Sequence, residues 1–407
     1  MSVRRVAMFS VHTSPLAQPG AGDGGGMNVY VKALASSLAR AGVHTDVFTR
    51  AEHPSQPSVV EVEPGFRVLH VEAGPRAAVE KCELPGLIDA FTDRVEQLVS
   101  DGSSYDMLHA NYWLSGDVAH RLKHRFDVPL VATFHTLARV KADAGIADDP
   151  QDRVRIEQQI MSCSDLVLAS TPDERSQLAS LYDIDAERIE VVAPGVDHTL
   201  FTADGRERAK RALGVEGRRV LLFVGRIQRL KGADLAVSCL AELRDPEAVL
   251  VIVGGASGAD GDGELARLHA LVHELGVSHQ VRFVPPQPHH RLPDFYRAAD
   301  VCLVPSRTES FGLVALEAAA CGTPVVAAAV GGLRSLVDDA HTGFLVASRD
   351  PADWAATVAL LLDDTDLHAE MGISAHARSR RYSWSITAAR LRRLYADLVV
   401  REPVRCS

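Results

Sequence analysis

Apolar runs of strand length recur along the chain, separated by longer stretches in which apolar residues return every three or four positions. In the first half these runs predict strands over Val6–Val11, Thr45–Thr49, Arg67–Val71, Met107–Ala110, Leu130–Phe134, Leu166–Ala169 and Ile189–Val192. Between them, Met27–Ala41 carries Val31, Leu34, Ala35 and Leu38, the spacing of a helix with one buried face. Leu84–Ser100 and Ser115–Phe126 read the same way. The second half repeats the grammar, with strands over Val220–Val224, Val249–Val253, Val281–Val284, Val301–Val304, Pro324–Ala328 and Phe344–Val346. A last helix, about Ser385–Val399, follows the break at Tyr382-Ser-Trp384. Strands alternating with helices imply parallel sheets covered on both faces, so two such blocks predict two doubly wound α/β domains. Pro194 and Gly195 end a strand and set the boundary between them. In such sheets ligands sit beyond the carboxyl ends of the strands, which makes the loops after strands the place to look for chemistry.

Composition narrows the partners. Of 407 residues, 46% are hydrophobic and 24% charged, ordinary values for a globular chain of two or three domains and not for a disordered or coiled-coil one. The formal net charge of −10 gives no bulk attraction to nucleic acid or an anionic membrane, so any bound phosphate needs a local basic site. No run approaches the roughly 18 apolar residues of a membrane span. The opening Val6-Ala-Met-Phe-Ser10 is too brief for the apolar core of a signal peptide, and the expected location is cytoplasmic. Six cysteines (Cys82, Cys163, Cys239, Cys302, Cys321 and Cys406) form no C-x-x-C pair and are expected to be reduced packing thiols. Only six of the 43 basic residues are lysines, so a lysine in a loop is notable.

Three loops carry candidate chemistry. The first, after the first strand, is His12-Thr-Ser-Pro-Leu-Ala-Gln-Pro-Gly20-Ala-Gly-Asp-Gly-Gly-Gly26, leading into a helix. Gly20, Gly22 and Gly25 match G-x-G-x-x-G literally, and Asp46, read at the end of the next strand, stands where a dinucleotide site wants an acid. Roughly nine residues separate the strand from Gly20, however, whereas that fingerprint needs a glycine directly after the strand. A long glycine loop ending at a helix start better suits backbone N–H contacts with a phosphate or sugar. The second loop is Phe223-Val-Gly-Arg226-Ile-Gln-Arg-Leu-Lys231-Gly232. Arg226 and Lys231 both lie in this turn, a pairing of a bidentate and a mobile cation that suits a diphosphate.

The third loop is the most informative: Pro305-Ser-Arg-Thr-Glu309-Ser-Phe-Gly312-Leu-Val-Ala-Leu-Glu317, running to Gly322-Thr-Pro324. A helix is predicted to begin near Ser310–Gly312. The N–H groups of Phe311, Gly312 and Leu313 would then lack intrahelical partners and face a phosphate, with Glu309 accepting sugar hydroxyls. Glu317, about one and a half turns on, can hold a ribose diol. Asp260-Gly-Asp262, a literal D-x-D in a glycine-rich loop, reads as loop rather than metal site.

The spacing of Glu309 and Glu317 around Ser-Phe-Gly-Leu resembles the signature of retaining, family 4-like glycosyltransferases with the GT-B fold. That resemblance covers nearly the whole chain. It implies two Rossmann-like domains facing an interdomain cleft: residues 1–194 with the C-terminal helix 385–407 on the acceptor side, and residues 195–384 binding the nucleotide sugar. Ser10–Tyr30, Asn111-Tyr-Trp-Leu-Ser-Gly116 and Val326-Ala-Ala-Ala-Val-Gly-Gly332 are similar to members that move N-acetylglucosamine from UDP-GlcNAc to inositol phosphate, a step of mycothiol biosynthesis.

The resemblance places Gly25, Gly26, Arg226, Lys231, Glu309, Ser310, Phe311, Gly312, Leu313 and Glu317 on the donor. Asn28, Lys81, Asn111, Tyr112, Thr136 and Arg153 fall to the acceptor, with His135 beside the transferring centre. It implies a hexosyl transfer with retained configuration, in which the leaving diphosphate oxygen takes the acceptor proton, with no cofactor and no essential Mg²⁺. The partners implied are a nucleotide sugar and a small polar acceptor, and a homodimer is one arrangement left open. Departures fall on the acceptor side: His109-Ala-Asn111-Tyr-Trp113 where the family reads His-Ser-His-Tyr-Trp, and Ala142 where it tends to have Asn. They keep open an acceptor from secondary metabolism, such as an aminocyclitol or a thiol, or a GDP-sugar donor. A dinucleotide oxidoreductase and a non-catalytic sugar-nucleotide sensor are the readings from other classes.

Overall fold

The computed structural model describes residues 3–100, 104–145, 150, 152–257 and 261–406. They divide into two compact units. The first is residues 1–17, 26–193 and 384–407, and the second is residues 18–25 and 194–383. The segment Gln18–Gly25, read in sequence as part of the first block, belongs by its contacts to the second unit.

In the first unit, eight strands are described: β1 (Arg5–Phe9), β2 (His44–Arg50), β3 (Val59–Glu63), β4 (Phe66–Val71), β5 (Met107–Asn111), β6 (Leu130–Thr133), β7 (Leu166–Ala169) and β8 (Ile189–Val191). They lie in the order β3-β4-β2-β1-β5-β6-β7-β8. All pairs are parallel except β3 with β4. The interior strands are apolar on both faces because helices cover both. Helix Gly26–Arg40 buries Val31, Leu34, Ala35 and Leu38, the stripe its periodicity predicts. β3 was missed in sequence. Val59-Val-Glu-Val-Glu63 is a solvent-facing edge strand with no continuous apolar run to mark it.

In the second unit six strands are described: β9 (Arg219–Val224), β10 (Ala248–Val253), β11 (Val281–Val284), β12 (Val301–Val304), β13 (Val325–Ala328) and β14 (Gly343–Val346). They pair in parallel in the order β11-β10-β9-β12-β13-β14. This is the doubly wound order of mononucleotide-binding sheets. Its direction reverses between β9 and β12, and that reversal opens a crevice at the strand ends. Among the described residues no helix is long and apolar enough to cross a membrane.

Two expectations are corrected here. Asp46 lies near the start of β2, not its end, and is buried at the edge away from the strand-end loops. It accepts hydrogen bonds from Arg5 (2.7 Å), Arg67 (2.7 and 2.8 Å) and the Tyr105 hydroxyl (2.7 Å). It is a structural anchor enclosed by these donors at the edge opposite the strand-end loops, and the dinucleotide reading loses its acid. Cys163 and Cys406 are not separate packing thiols. They are joined as a disulfide with Cα atoms 5.2 Å apart, while Cys239, Cys302 and Cys321 are buried core residues and Cys82 is exposed.

Burial raises the Asp46 pKa, but the bonds from Arg67, Tyr105 and Arg5 outweigh it and hold the carboxyl below the usual range. A folded pKa below the unfolded one gives stability that is complete above about pH 3.9 and lost as pH falls through the folded value. Asp46→Asn is therefore expected to cost about 2–4 kcal/mol in urea unfolding at pH 7, since two guanidinium groups lose their charge partner. The gap from wild type should close as the pH is taken below about 3.9. An unchanged gap at low pH would show that Asp46 acts by shape alone.

Candidate functional site

In the second unit the loops after β9, β10, β12 and β13 pack against one another at the carboxyl edge of the sheet. Lys231, after β9, pairs with Glu309, after β12, at 2.7 Å. The two are 78 residues apart in sequence, and the contact exists because β9 and β12 are neighbours. Ser306 donates to the same Glu309 oxygen at 3.2 Å. Gly232 allows this meeting: its φ is +72°, and a Cβ there would lie 2.2 Å from the Pro305 carbonyl oxygen. Gly332 does the same for the loop after β13. Its N–H donates to the Glu309 carbonyl at 2.8 Å, and a Cβ would lie 2.3 Å from the Ser310 carbonyl oxygen.

Arg226 reaches Ser257 at 3.4 Å, and Gly25 lies so close that a Cβ there would be 3.2 Å from the Arg226 Nε. The glycine loop is folded, not free. Gly20 N–H donates to Gly24 O, Gly255 N–H donates to Gly20 O at 3.1 Å, Gln18 donates to Pro286 O at 2.7 Å, and the Ser257 hydroxyl bonds to Gly22 O.

The helix after Glu309 spans Leu313–Ala320, starting later than its sequence suggested, with Gly312 as its cap at φ +104°. Its first amides point out of the helix start. The Phe311 ring is buried against Tyr382 at 5.8 Å, so only the backbone of Phe311 is available to a ligand. Ser310 and Leu313 are partly exposed beside it. Glu317 is buried, and its two oxygens accept from His289 Nε2 (2.7 Å) and the Tyr296 hydroxyl (2.8 Å). Each oxygen keeps a further lone pair for a hydroxyl donor. His289 and Tyr296 were missed in sequence because no motif spacing links them to Glu317.

In the first unit the corresponding edge gathers residues after β1, β5 and β6. Tyr112, directly after β5, has φ 77° and ψ 158°, a region almost reserved for glycine. His135, after β6, sits at φ 62°. Two strained non-glycine residues on adjacent strand ends mark a place where side-chain position matters more than backbone comfort.

Tyr112 is the hub. The Lys81 ammonium lies 4.6 Å from its ring centroid, the Arg153 guanidinium 4.9 Å, and the His12 ring 4.5 Å. Arg153 is fully buried. It donates to Glu157 (2.7 Å), the Tyr112 hydroxyl (3.1 Å) and both oxygens of Thr136 (2.7 and 3.1 Å). Glu157 also takes the Tyr182 hydroxyl. Arg153 thus reaches any ligand across Tyr112 and Thr136 rather than from the surface.

His135 donates from Nε2 to Asn111 Oδ1 at 3.0 Å, and the Asn111 Nδ2 has no hydrogen-bond partner among the described residues. Burial, with His109 nearby, pushes the His135 pKa well below the ordinary imidazole range, so the ring is neutral at physiological pH. Asn28, buried two residues past the exposed Gly26, donates to Thr13 Oγ1 (2.7 Å) and Ser14 O (2.6 Å) and so holds the loop after β1. His109 is a core residue bonded to Tyr395 (2.6 Å) and Thr133 (2.9 Å). Of the D-x-D pair, Asp260 lies outside the described residues, and Asp262 is exposed in the first turn of helix Gly261–Glu274.

Comparison with known proteins gives the family. Residues 25–195 match the glycosyl transferase 4-like domain family, and residues 205–378 match the glycosyl transferases group 1 family. A D-inositol 3-phosphate glycosyltransferase of Xylanimonas cellulosilytica is 49% identical, covering 98% of each chain, and that of Corynebacterium jeikeium is 48% identical, covering 97% of each. Among solved structures, a sucrose-phosphate synthase from Thermosynechococcus elongatus superposes with a TM-score of 0.92 at 33% identity, over 98% of this chain and 99% of that one. Anabaena HepE in complex with UDP-glucose shares the fold at TM-score 0.78 and 21% identity, over 97% of this chain and all of that one. The two Rossmann-like units are those of GT-B glycosyltransferases. The chain belongs to the group 1, 4-like glycosyltransferases, among the relatives of the D-inositol 3-phosphate glycosyltransferases.

Proposed function

We propose that this glycosyltransferase moves N-acetylglucosamine from UDP-GlcNAc to inositol phosphate with retention of configuration, in the cytoplasm and without an essential metal at the reacting centre. The observation that carries the reading is the Lys231–Glu309 pair at the reversal point of the second sheet. It stands in a chain nearly half identical to enzymes named for inositol 3-phosphate.

In this reading Arg226 and Lys231 neutralise the diphosphate. Lys231 has three N–H donors, one of which goes to Glu309, leaving two for phosphate oxygens. The amides at Phe311, Gly312 and Leu313, with Ser310, add donors at the start of a helix. Gly25, against Arg226, offers its backbone to the diphosphate, and the family resemblance adds that of Gly26. Glu309 orients the donor sugar and Glu317 the ribose. On the acceptor side the half-buried Lys81 supplies the charge for the phosphate. Arg153, through Tyr112 and Thr136, fixes the pocket, and Asn28 and Asn111 position hydroxyls.

Chemistry follows from charge placement. The bond from the anomeric carbon to the diphosphate oxygen breaks, the acceptor hydroxyl attacks from the same face, and its proton passes to the departing oxygen. Arg226 and Lys231 stabilise the negative charge growing on that oxygen, the largest kind of contribution such a site can make. His135, held neutral, serves as a hydrogen-bonding group and not as a cation.

Incubation with UDP-GlcNAc and inositol 3-phosphate should yield a phosphorylated pseudodisaccharide with an α linkage, read by mass spectrometry and NMR, at an initial rate unchanged within about twofold by EDTA. Rescue of an EDTA-dependent loss by Mg²⁺ or Mn²⁺ would overturn the metal-free step. UDP-GlcNAc turnover only with a different acceptor would transfer the reading to the secondary-metabolite class. Lys231→Ala should lower kcat/KM by about 10²–10³-fold while the melting temperature holds, and near-normal turnover would remove Lys231 from the diphosphate. Lys81→Met should raise KM for inositol phosphate about tenfold or more and leave KM for the donor unchanged. It is a cleaner probe than Arg153→Ala, which strands Glu157 in the core and costs about 3–5 kcal/mol of stability.

A further inference from the structure

We propose that His120, His124, Cys163 and Cys406 form a tetrahedral zinc site that fastens the C-terminal tail to the first unit. Helix Trp113–Phe126 places His120 and His124 one turn apart on one face, with ring centroids 5.2 Å apart. Cys163 is the last residue of helix Arg153–Cys163, and Cys406 arrives 243 residues later from the chain's end. His124 Nε2 lies 3.1 Å and His120 Nε2 3.6 Å from the Cys406 sulphur. All four ligand atoms fall within 4.8 Å of one another. Zinc bonds of about 2.0–2.1 Å to nitrogen and about 2.3 Å to sulphur require edges of about 3.3–3.8 Å. The two sulphurs stand within bonding distance of each other here, so reduction and rotation of both cysteine side chains must part them to reach the tetrahedron.

Two thiolates and two imidazoles are the donor set for zinc and not for Mg²⁺ or Ca²⁺. Binding releases two thiol protons, and the resulting centre is electrically neutral, so it adds no net charge beside the buried Cys163. His124 is exposed and gives the ion a way in. In this structure the two cysteines are joined as a disulfide, and the zinc site is the state of their reduced thiolates. The disulfide gives the two imidazoles nothing to do, because a disulfide sulphur has no proton to donate and accepts poorly.

The tail is also held independently of the sulphurs. Val404 N–H donates to Asp165 Oδ1 at 2.6 Å. Lys123, buried, donates to both Asp165 Oδ2 and the Cys163 carbonyl at 2.7 Å. The residue beside His124 and the carbonyl of Cys163 therefore share a network with the strand of chain that delivers Cys406. The cluster sits at the far ends of the two helices whose starts carry Tyr112 and Arg153. A metal there clamps that helix pair at the edge of the sheet opposite the strand-end loops.

The test uses full-length protein purified under reducing conditions. Elemental analysis should find one zinc per chain. Replacement by Co²⁺ should give the intense visible bands of a tetrahedral centre together with thiolate-to-cobalt charge transfer. His124→Ala and Cys406→Ser should each fold normally by circular dichroism and weaken zinc binding by about 100-fold or more. Reduced protein that binds no zinc or cobalt, or binds them unaffected by both substitutions, would overturn the site. So would non-reducing mass spectrometry of anaerobically purified protein showing Cys163 and Cys406 covalently joined with the loss of two hydrogens.

Discussion

Lys231 and Glu309 touch because β9 and β12 lie side by side and point the same way. That parallel alignment is the constraint on which the rest depends. It sends every strand-to-helix loop to one edge of its sheet and, where the order reverses, leaves room between neighbouring loops. Side chains far apart in sequence then converge with no dedicated scaffold. The glycines at 232 and 332 let the loops approach to backbone contact, and this turns an edge of loops into a shaped surface lined with donors.

The first unit reaches the same result by a costlier route. Tyr112 and His135 both take positive φ values, which only surrounding structure can enforce. For Tyr112 the enforcement is visible in its partners: Arg153 on its hydroxyl, Lys81 and His12 against the ring, and the Thr133 carbonyl on its backbone N–H. A fully buried guanidinium is tolerable only because Glu157 balances its charge and its N–H groups are spent on oxygens. This edge is thus held in place by buried partners, with the Lys81 ammonium packed on the Tyr112 ring beside it. The corresponding edge of the second unit carries the amides at a helix start and the Lys231–Glu309 pair.

Much of this was legible in the residues. Most interior strands declared themselves as apolar runs, because a strand covered on both faces has little polar side to show. The solvent-facing edge strand Val59–Glu63 did not, for the converse reason. Arg226, Lys231, Glu309 and Glu317 stood out by spacing within single loops. His289 and Tyr296 around Glu317, Glu157 and Tyr182 around Arg153, and the His–Cys cluster did not. Each joins residues from separate elements, and no local pattern encodes which elements become neighbours.

By itself the sequence determined the class of fold, the alternation of strand and helix, and the residue types that can meet a diphosphate. These follow from local periodicity and short-range spacing, which are properties of a chain. The tertiary structure alone decided that Asp46 is an anchor and not a ribose acid, that Arg153 lies beneath Tyr112, and that two histidines and two cysteines converge at the tail. Those outcomes depend on strand order and burial, which arise only when distant segments compete for the same space and the same hydrogen-bond partners.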